Sequence, residues 1–142
     1  MNNLQDDFSN YSVTNLLQPP DMRIEDEIKQ PAFRNEYSKL LINLLFTGNW
    51  IHHSNKKFLK DYQLSPEQYN VLRILRGQYP GTTNINMLND RMLDKMSNVS
   101  RLVEKLRVKE LITRQESEKD RRQVDIQITD KGLKLLEVID KK

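Results

Sequence analysis

The apolar positions of this chain fall into stripes of two different periods. Tyr37, Leu40, Leu41, Leu44 and Leu45 recur at the spacing of an amphipathic helix, which continues through Ile51 towards Phe58 and Leu59. Ser65-Pro66-Glu67-Gln68 predicts a helix start: Ser as N-cap, Pro in the first turn, and Gln three residues on to close a capping box. The helix it opens carries Tyr69, Leu72 and Leu75 and ends near Gly77; Tyr79-Pro80-Gly81 is a turn. Ile85, Leu88 and Met92 mark a short helix, and Val99, Leu102, Val103 and Leu106 a longer one. The period then changes. Val124, Ile126 and Ile128 alternate with Asp125 and Gln127, as in a half-buried strand. Leu111 to Gln115 and Gln123 to Ile128 therefore predict two strands, and Thr129 caps a last helix bearing Leu133, Leu136 and Ile139.

Upstream, Asp21 to Gln30 predicts a short helix with Ile24 and Ile28 on one face, stopped by Pro31. Residues 1–20 show no period and read as disordered, or as an arm ordered by a partner. The division expected is a flexible acidic arm over 1–32 and one domain over 33–142. The fold class is mainly α with a small β-hairpin: a winged helix-turn-helix with a short C-terminal helix.

Charge sharpens this picture more than composition does. The net charge is only +3. Residues 1–36, however, hold three basic and seven acidic side chains, while residues 37–142 hold twenty basic and thirteen acidic. That asymmetry predicts a basic working surface and an acidic arm. The chain has no cysteine, which excludes disulfide scaffolds, thiolate metal sites and thiol redox sensing, and fits a cytoplasmic protein. The longest apolar run, Leu40 to Phe46, interrupted by Asn43, is too short to span a membrane, and the N-terminus lacks a basic n-region.

Catalysis finds little support. Four glycines write neither a phosphate-cradling loop nor a nucleophile elbow. His52 and His53 point about 100° apart on a helix and read as surface residues. No catalytic residue, metal ligand or cofactor is predicted, and an enzyme is not expected.

The segment from Ile85 to Leu111 carries the functional signal. A short helix, a tight connection around Leu93-Asp94-Lys95 and a longer helix make a helix-turn-helix. Lys95, Ser97, Asn98, Ser100, Arg101 and Lys105 lie off the apolar stripe of the second helix. Asn pairs with adenine and Arg with guanine in the major groove, and a helix N-terminus offers N–H groups to phosphate. The hairpin tip, with Arg121 and Arg122, is suited to straddle a phosphate backbone, Asp120 holding a neighbouring arginine or the turn.

From Tyr37 onward the sequence resembles the MarR-type winged helix-turn-helix transcription regulators. The resemblance rests on Ser65-Pro66 with Tyr69-Asn70-Val71-Leu72, on DKMSNVSRLVEKL at 94–106, and on Asp120-x-Arg122 followed by ITDKG at 128–132. It implies a cytoplasmic homodimer that binds a pseudo-palindromic operator in double-stranded DNA, usually as a repressor, relieved by a small aromatic ligand. It puts Ser97, Asn98, Ser100 and Arg101 on the recognition helix and makes Asp120 and Arg122 the wing pair. Phe46, Trp50 and Tyr69, with Phe58 and Tyr62, are candidates to line a ligand pocket.

Two positions depart from the family pattern. Glu110 stands where the family usually has a helix-ending Gly in the left-handed conformation. Family chains also usually continue past ITDKG through one or two long dimerising helices, whereas this sequence reaches Lys142 about one short helix later. Either the sequence is shortened, or N-terminal segments bearing Leu16, Leu17, Ile24 and Ile28 supply the dimer surface. The competing functional reading is a winged helix used for protein contacts without DNA.

Overall fold

The computed structural model describes residues 23–117 and 124–142. Its elements run α1 (Ile24–Glu27), α2 (Glu36–Lys60), α3 (Pro66–Arg76), α4 (Ile85–Arg91), α5 (Val99–Val108), β1 (Ile112–Glu116), β2 (Val124–Ile128) and α6 (Asp130–Ile139). The chain divides into two compact units, Met1–Asn49 and Trp50–Lys142, and α2 contributes to both.

In the first unit, α1 is shorter than the Asp21–Gln30 helix expected. Its end comes before Pro31: Lys29 adopts φ 55°, and the Gln30 N–H turns back to the Glu25 carbonyl at 2.9 Å. This is the Schellman ending, with the left-handed residue at C′. Glu25 holds the Lys39 ammonium of α2 at 2.7 Å. The helical stripe expected on α2 forms, yet Tyr37, Leu40, Leu41, Leu44 and Leu45 are each more than half exposed.

In the second unit α3 is central. It touches α4, α5, α6 and β2, and its Val71, Leu72 and Leu75 are essentially inaccessible to water. Leu88 of α4, Val103 and Leu106 of α5, Ile126 of β2 and Leu136 of α6 are equally buried in the same core. The expected capping box is present. Ser65 Oγ accepts from the Gln68 N–H at 3.2 Å, and Gln68 Oε1 accepts from the Ser65 N–H at 3.1 Å.

The strands pair antiparallel in the register Ile112↔Ile128, Arg114↔Ile126, Glu116↔Val124. Ile126 and Ile128 are buried and Val124 half-buried, as the alternation predicted. β1 begins one residue later than expected, because the Leu111 N–H is spent on the Leu106 carbonyl at the end of α5 (3.1 Å). Thr83 adds an isolated bridge on the other side of β2 that the sequence did not announce. Its N–H and C=O bond the Ile126 backbone at 2.9 and 2.8 Å, fixing the segment before α4 to the hairpin. Among the described residues no helix is long and apolar enough to cross a membrane.

Candidate nucleic-acid interface

The connection between α4 and α5 is held by its own polar groups. Asp94 Oδ1 accepts from the Met96 N–H at 2.9 Å, and Asp94 Oδ2 accepts from the Ser97 hydroxyl at 2.9 Å. Those two donors, the backbone one first, hold the Asp94 carboxyl below the usual carboxylate range. The Lys95 ammonium donates to the Asp90 carbonyl at 2.6 Å and reaches that of Asn89 at 3.4 Å, closing the C-terminal end of α4. Asn70 of α3 accepts the Leu93 N–H at 3.0 Å. Three side chains and a neighbouring helix thus fix this turn.

α5 starts at Val99, so Lys95 and Ser97 lie in the turn and not on the helix, a correction to the sequence reading. Asn98 is the N-cap: its Oδ1 accepts the Arg101 N–H at 3.0 Å, one of the donors a helix start leaves unsatisfied. An Asn directly before the first apolar residue of a periodic run is a cap signal, and the Asn98 side-chain oxygen is committed to that cap, not to the base contact expected of it. Val99, Val103 and Leu106 anchor the helix in the core; Ser100, Arg101 and Lys105 face solvent.

The charges on this face are unequal. Glu104 takes up Arg107, with Nη2 at 2.7 Å, and lies 3.9 Å from Arg114 of β1; its carboxyl is held low chiefly by Arg107. Among the described residues, neither Arg101 nor Lys105 is held by a carboxylate. Both of these basic side chains of α5 sit in its first two turns. Asp120, Arg121 and Arg122 lie outside the described residues.

The far end of α5 is closed by a tie to two other elements. Glu110 takes φ 61°, and its N–H and that of Leu111 return to the carbonyls of Arg107 (2.8 Å) and Leu106 (3.1 Å). The family's glycine conformation is thus reached with a glutamate. Thr129 donates its hydroxyl to the Glu110 carbonyl at 2.8 Å and accepts the Gly132 N–H at 3.1 Å. One side chain thereby joins the end of α5 to the start of α6. Lys109 donates to Gln68 Oε1 at 3.2 Å and to the Gln63 carbonyl after α2; partial burial and neighbouring Lys105 lower its pKa.

A family model described as the MarR family matches residues 64–124, which run from before α3 to the start of β2. The HTH-type transcriptional regulator MhqR of Bacillus subtilis is 33% identical over 98 residues, covering 69% of this chain and 66% of the relative, just under two thirds of its length. The chain belongs to the MarR family. Solved MarR structures share its architecture. A MarR transcription factor from Planctomyces limnophilus is 27% identical, with TM-score 0.68 over 78% of this chain and 79% of that one. A MepR mutant from S. aureus, bound to an oligodeoxyribonucleotide, is 25% identical, with TM-score 0.56 over 74% of each chain.

This MarR-family chain also has a cleft of about 400 Å³ within its second unit, where α2, α3 and the α4–α5 turn meet. Phe58, Tyr69, Asn55, Asn70, Arg73 and Leu93 line it. Of the expected ligand-pocket residues Tyr69 lines it, with Phe58 from the wider set. Trp50, about half exposed, does not, and Phe46 belongs to the first unit. The Arg73 guanidinium lies 5.8 Å from the Tyr69 ring centroid. The histidine rings sit edge-on, 6.1 Å apart, on exposed residues. Among the described residues no group of three or more His, Cys, Asp or Glu is placed to hold a metal ion.

Proposed function

We propose that this chain is a sequence-specific transcription regulator, a repressor, that reads a pseudo-palindromic operator as a cytoplasmic homodimer. The observation that carries this reading is the exposed start of α5. Ser100, Arg101 and Lys105 face solvent there on a helix locked into the core by Val99, Val103 and Leu106. In this reading α5 enters the major groove, Arg101 meets a base edge, Lys105 meets phosphate, and Ser100 allows close approach. Arg121 and Arg122, supported by Asp120, take the minor groove beside it. The S. aureus relative bound to an oligodeoxyribonucleotide supports the same role. In this reading residues 1–32 are an acidic N-terminal region and residues 33–142 the winged helix-turn-helix domain.

Two further parts belong to this reading. The exposed stripe Tyr37, Leu40, Leu41, Leu44 and Leu45 is a contiguous apolar face that a second copy would cover. The cleft beside Tyr69 takes a small aromatic ligand, with Arg73 and Asn70 as its polar contacts. The Asn70 amide also holds the Leu93 N–H, so a ligand there acts on the turn that precedes α5.

Salt-titrated binding of a fluorescent duplex tests the assignment. Arg101→Ala is expected to cost about 1–3 kcal/mol and relax the preference at one base pair; Lys105→Ala is expected to weaken all duplexes and reduce the salt slope by about one. Unchanged affinity in both variants overturns it.

A further inference from the structure

The rigid turn ahead of α5 leaves two apolar side chains exposed that its internal bonds do not use, Leu93 at the rim of the cleft and Met96 next to the cap of α5. Met96 is 92% exposed, while its backbone N–H is fixed by Asp94. The polar residues around it are committed: Lys95 to the end of α4, Ser97 to Asp94, and Asn98 to the cap of α5. Next to α5, what this turn offers outward is therefore an apolar thioether, two residues before the cap of the recognition helix. Single exposed apolar residues are common. This one differs in being held on a braced backbone in the turn of a helix-turn-helix, just before the helix proposed to meet base edges.

We propose that Met96 is a specificity residue that packs on the C5-methyl group of a thymine in the major groove. A thioether has no donor to give a phosphate. The apolar feature a base-pair edge shows in that groove is the thymine methyl. Methionine, unbranched and polarisable, adapts to such a contact. The inference rests on the DNA-reading role proposed above and adds a base preference that Arg101 and Ser100 do not supply.

The experiment uses the full chain with duplexes selected from a random pool, each thymine then replaced in turn by deoxyuridine, which lacks only the methyl. The wild-type protein is expected to lose about fourfold in affinity at one thymine per half-site, the factor for one methyl group removed from contact. Met96→Ala is expected to bind the thymine duplex more weakly by a similar or larger factor and to be indifferent to deoxyuridine at that position. Met96→Leu is expected to restore most of the discrimination. A Met96→Ala protein with wild-type affinity and wild-type response at every thymine overturns the inference and leaves the DNA-reading role standing. So does a loss shared equally by specific and unrelated duplexes. A folded wild-type protein that selects no duplex overturns both.

Discussion

Gly132 lies against Leu111 so closely that a Cβ on it would overlap the Leu111 carbonyl oxygen and stand 2.7 Å from Ile128 Cγ1. The Leu111 carbonyl cannot retreat, because it accepts the Thr129 N–H at 3.1 Å. The last letter of the ITDKG motif is therefore a packing requirement: α6 starts where only a hydrogen fits. Gly132→Ala is expected to destabilise the fold by about 2–3 kcal/mol, at the upper end of overpacking costs. Urea unfolding of the purified variant measures it, and a loss below about 0.5 kcal/mol would contradict the contact.

Lys29, Gln63 and Glu110 each end a helix with positive φ, and none of the four glycines does. A left-handed L-residue costs about 1–2 kcal/mol, and glycine gives back about 0.5–1 through its unfolded freedom. Gln63→Gly is therefore expected to raise stability by a net of about 0.5–1 kcal/mol, read as a higher thermal midpoint. Glu110→Gly is expected to move the same way, since the Lys131 pair it loses is exposed on both sides. A lower midpoint in both variants would show that those residues are not held left-handed.

Stability should respond to acid. Donors hold five carboxyls below the usual range: Lys39 on Glu25, the Met96 N–H on Asp94, Arg107 on Glu104, Lys131 on Glu110 and Arg76 on Asp140. A depressed carboxyl stabilises the fold fully above its unfolded pKa, about 4, and loses that contribution as pH falls through its lower folded value. Urea midpoints are expected to stay level from pH 8 to about 5 and to fall below about 4. The Arg76–Asp140 link, 2.5 Å between α3 and α6, is the test residue pair: Asp140→Asn should shrink the acid-induced drop. An unchanged drop would show that this pair does not contribute to it.

The exposed stripe on α2 predicts association. Leu41 and Leu45 are 59% and 60% exposed, so replacing them leaves the packed core untouched. Wild-type protein at micromolar concentration is expected to sediment as a dimer, and Leu41→Glu with Leu45→Glu as a folded monomer. A wild-type monomer would contradict the assignment of that face.

Much of the fold was legible because period and caps agree. Val99, Val103 and Leu106 show a helical spacing, Val124, Ile126 and Ile128 a strand spacing, and Ser65 and Thr129 are cap residues followed by the right partners. What stayed hidden depends on contacts distant in sequence. Nothing local marks Thr83 as a rung beside Ile126, or Lys95 as the closure of α4. Periodicity showed that α2 has an apolar face and could not show what covers it. For the candidate site, residue type singled out Arg101 and Lys105. Only geometry revealed that Ser97 braces the turn while Met96 is exposed; the Asn98 cap has its own signal in the sequence. Of the expected Phe46, Trp50 and Tyr69, Tyr69 lines the cleft and Trp50 does not, because aromatic type says nothing of which helix turn faces inward.

In the proposed function two copies of α5 read DNA. Selection of bound duplexes from a random-sequence pool at moderate salt tests it most directly. An enriched inverted repeat with half-site centres about 10 bp apart is the predicted result, since two symmetry-related helices enter successive major grooves. A folded protein that enriches no sequence would contradict the account.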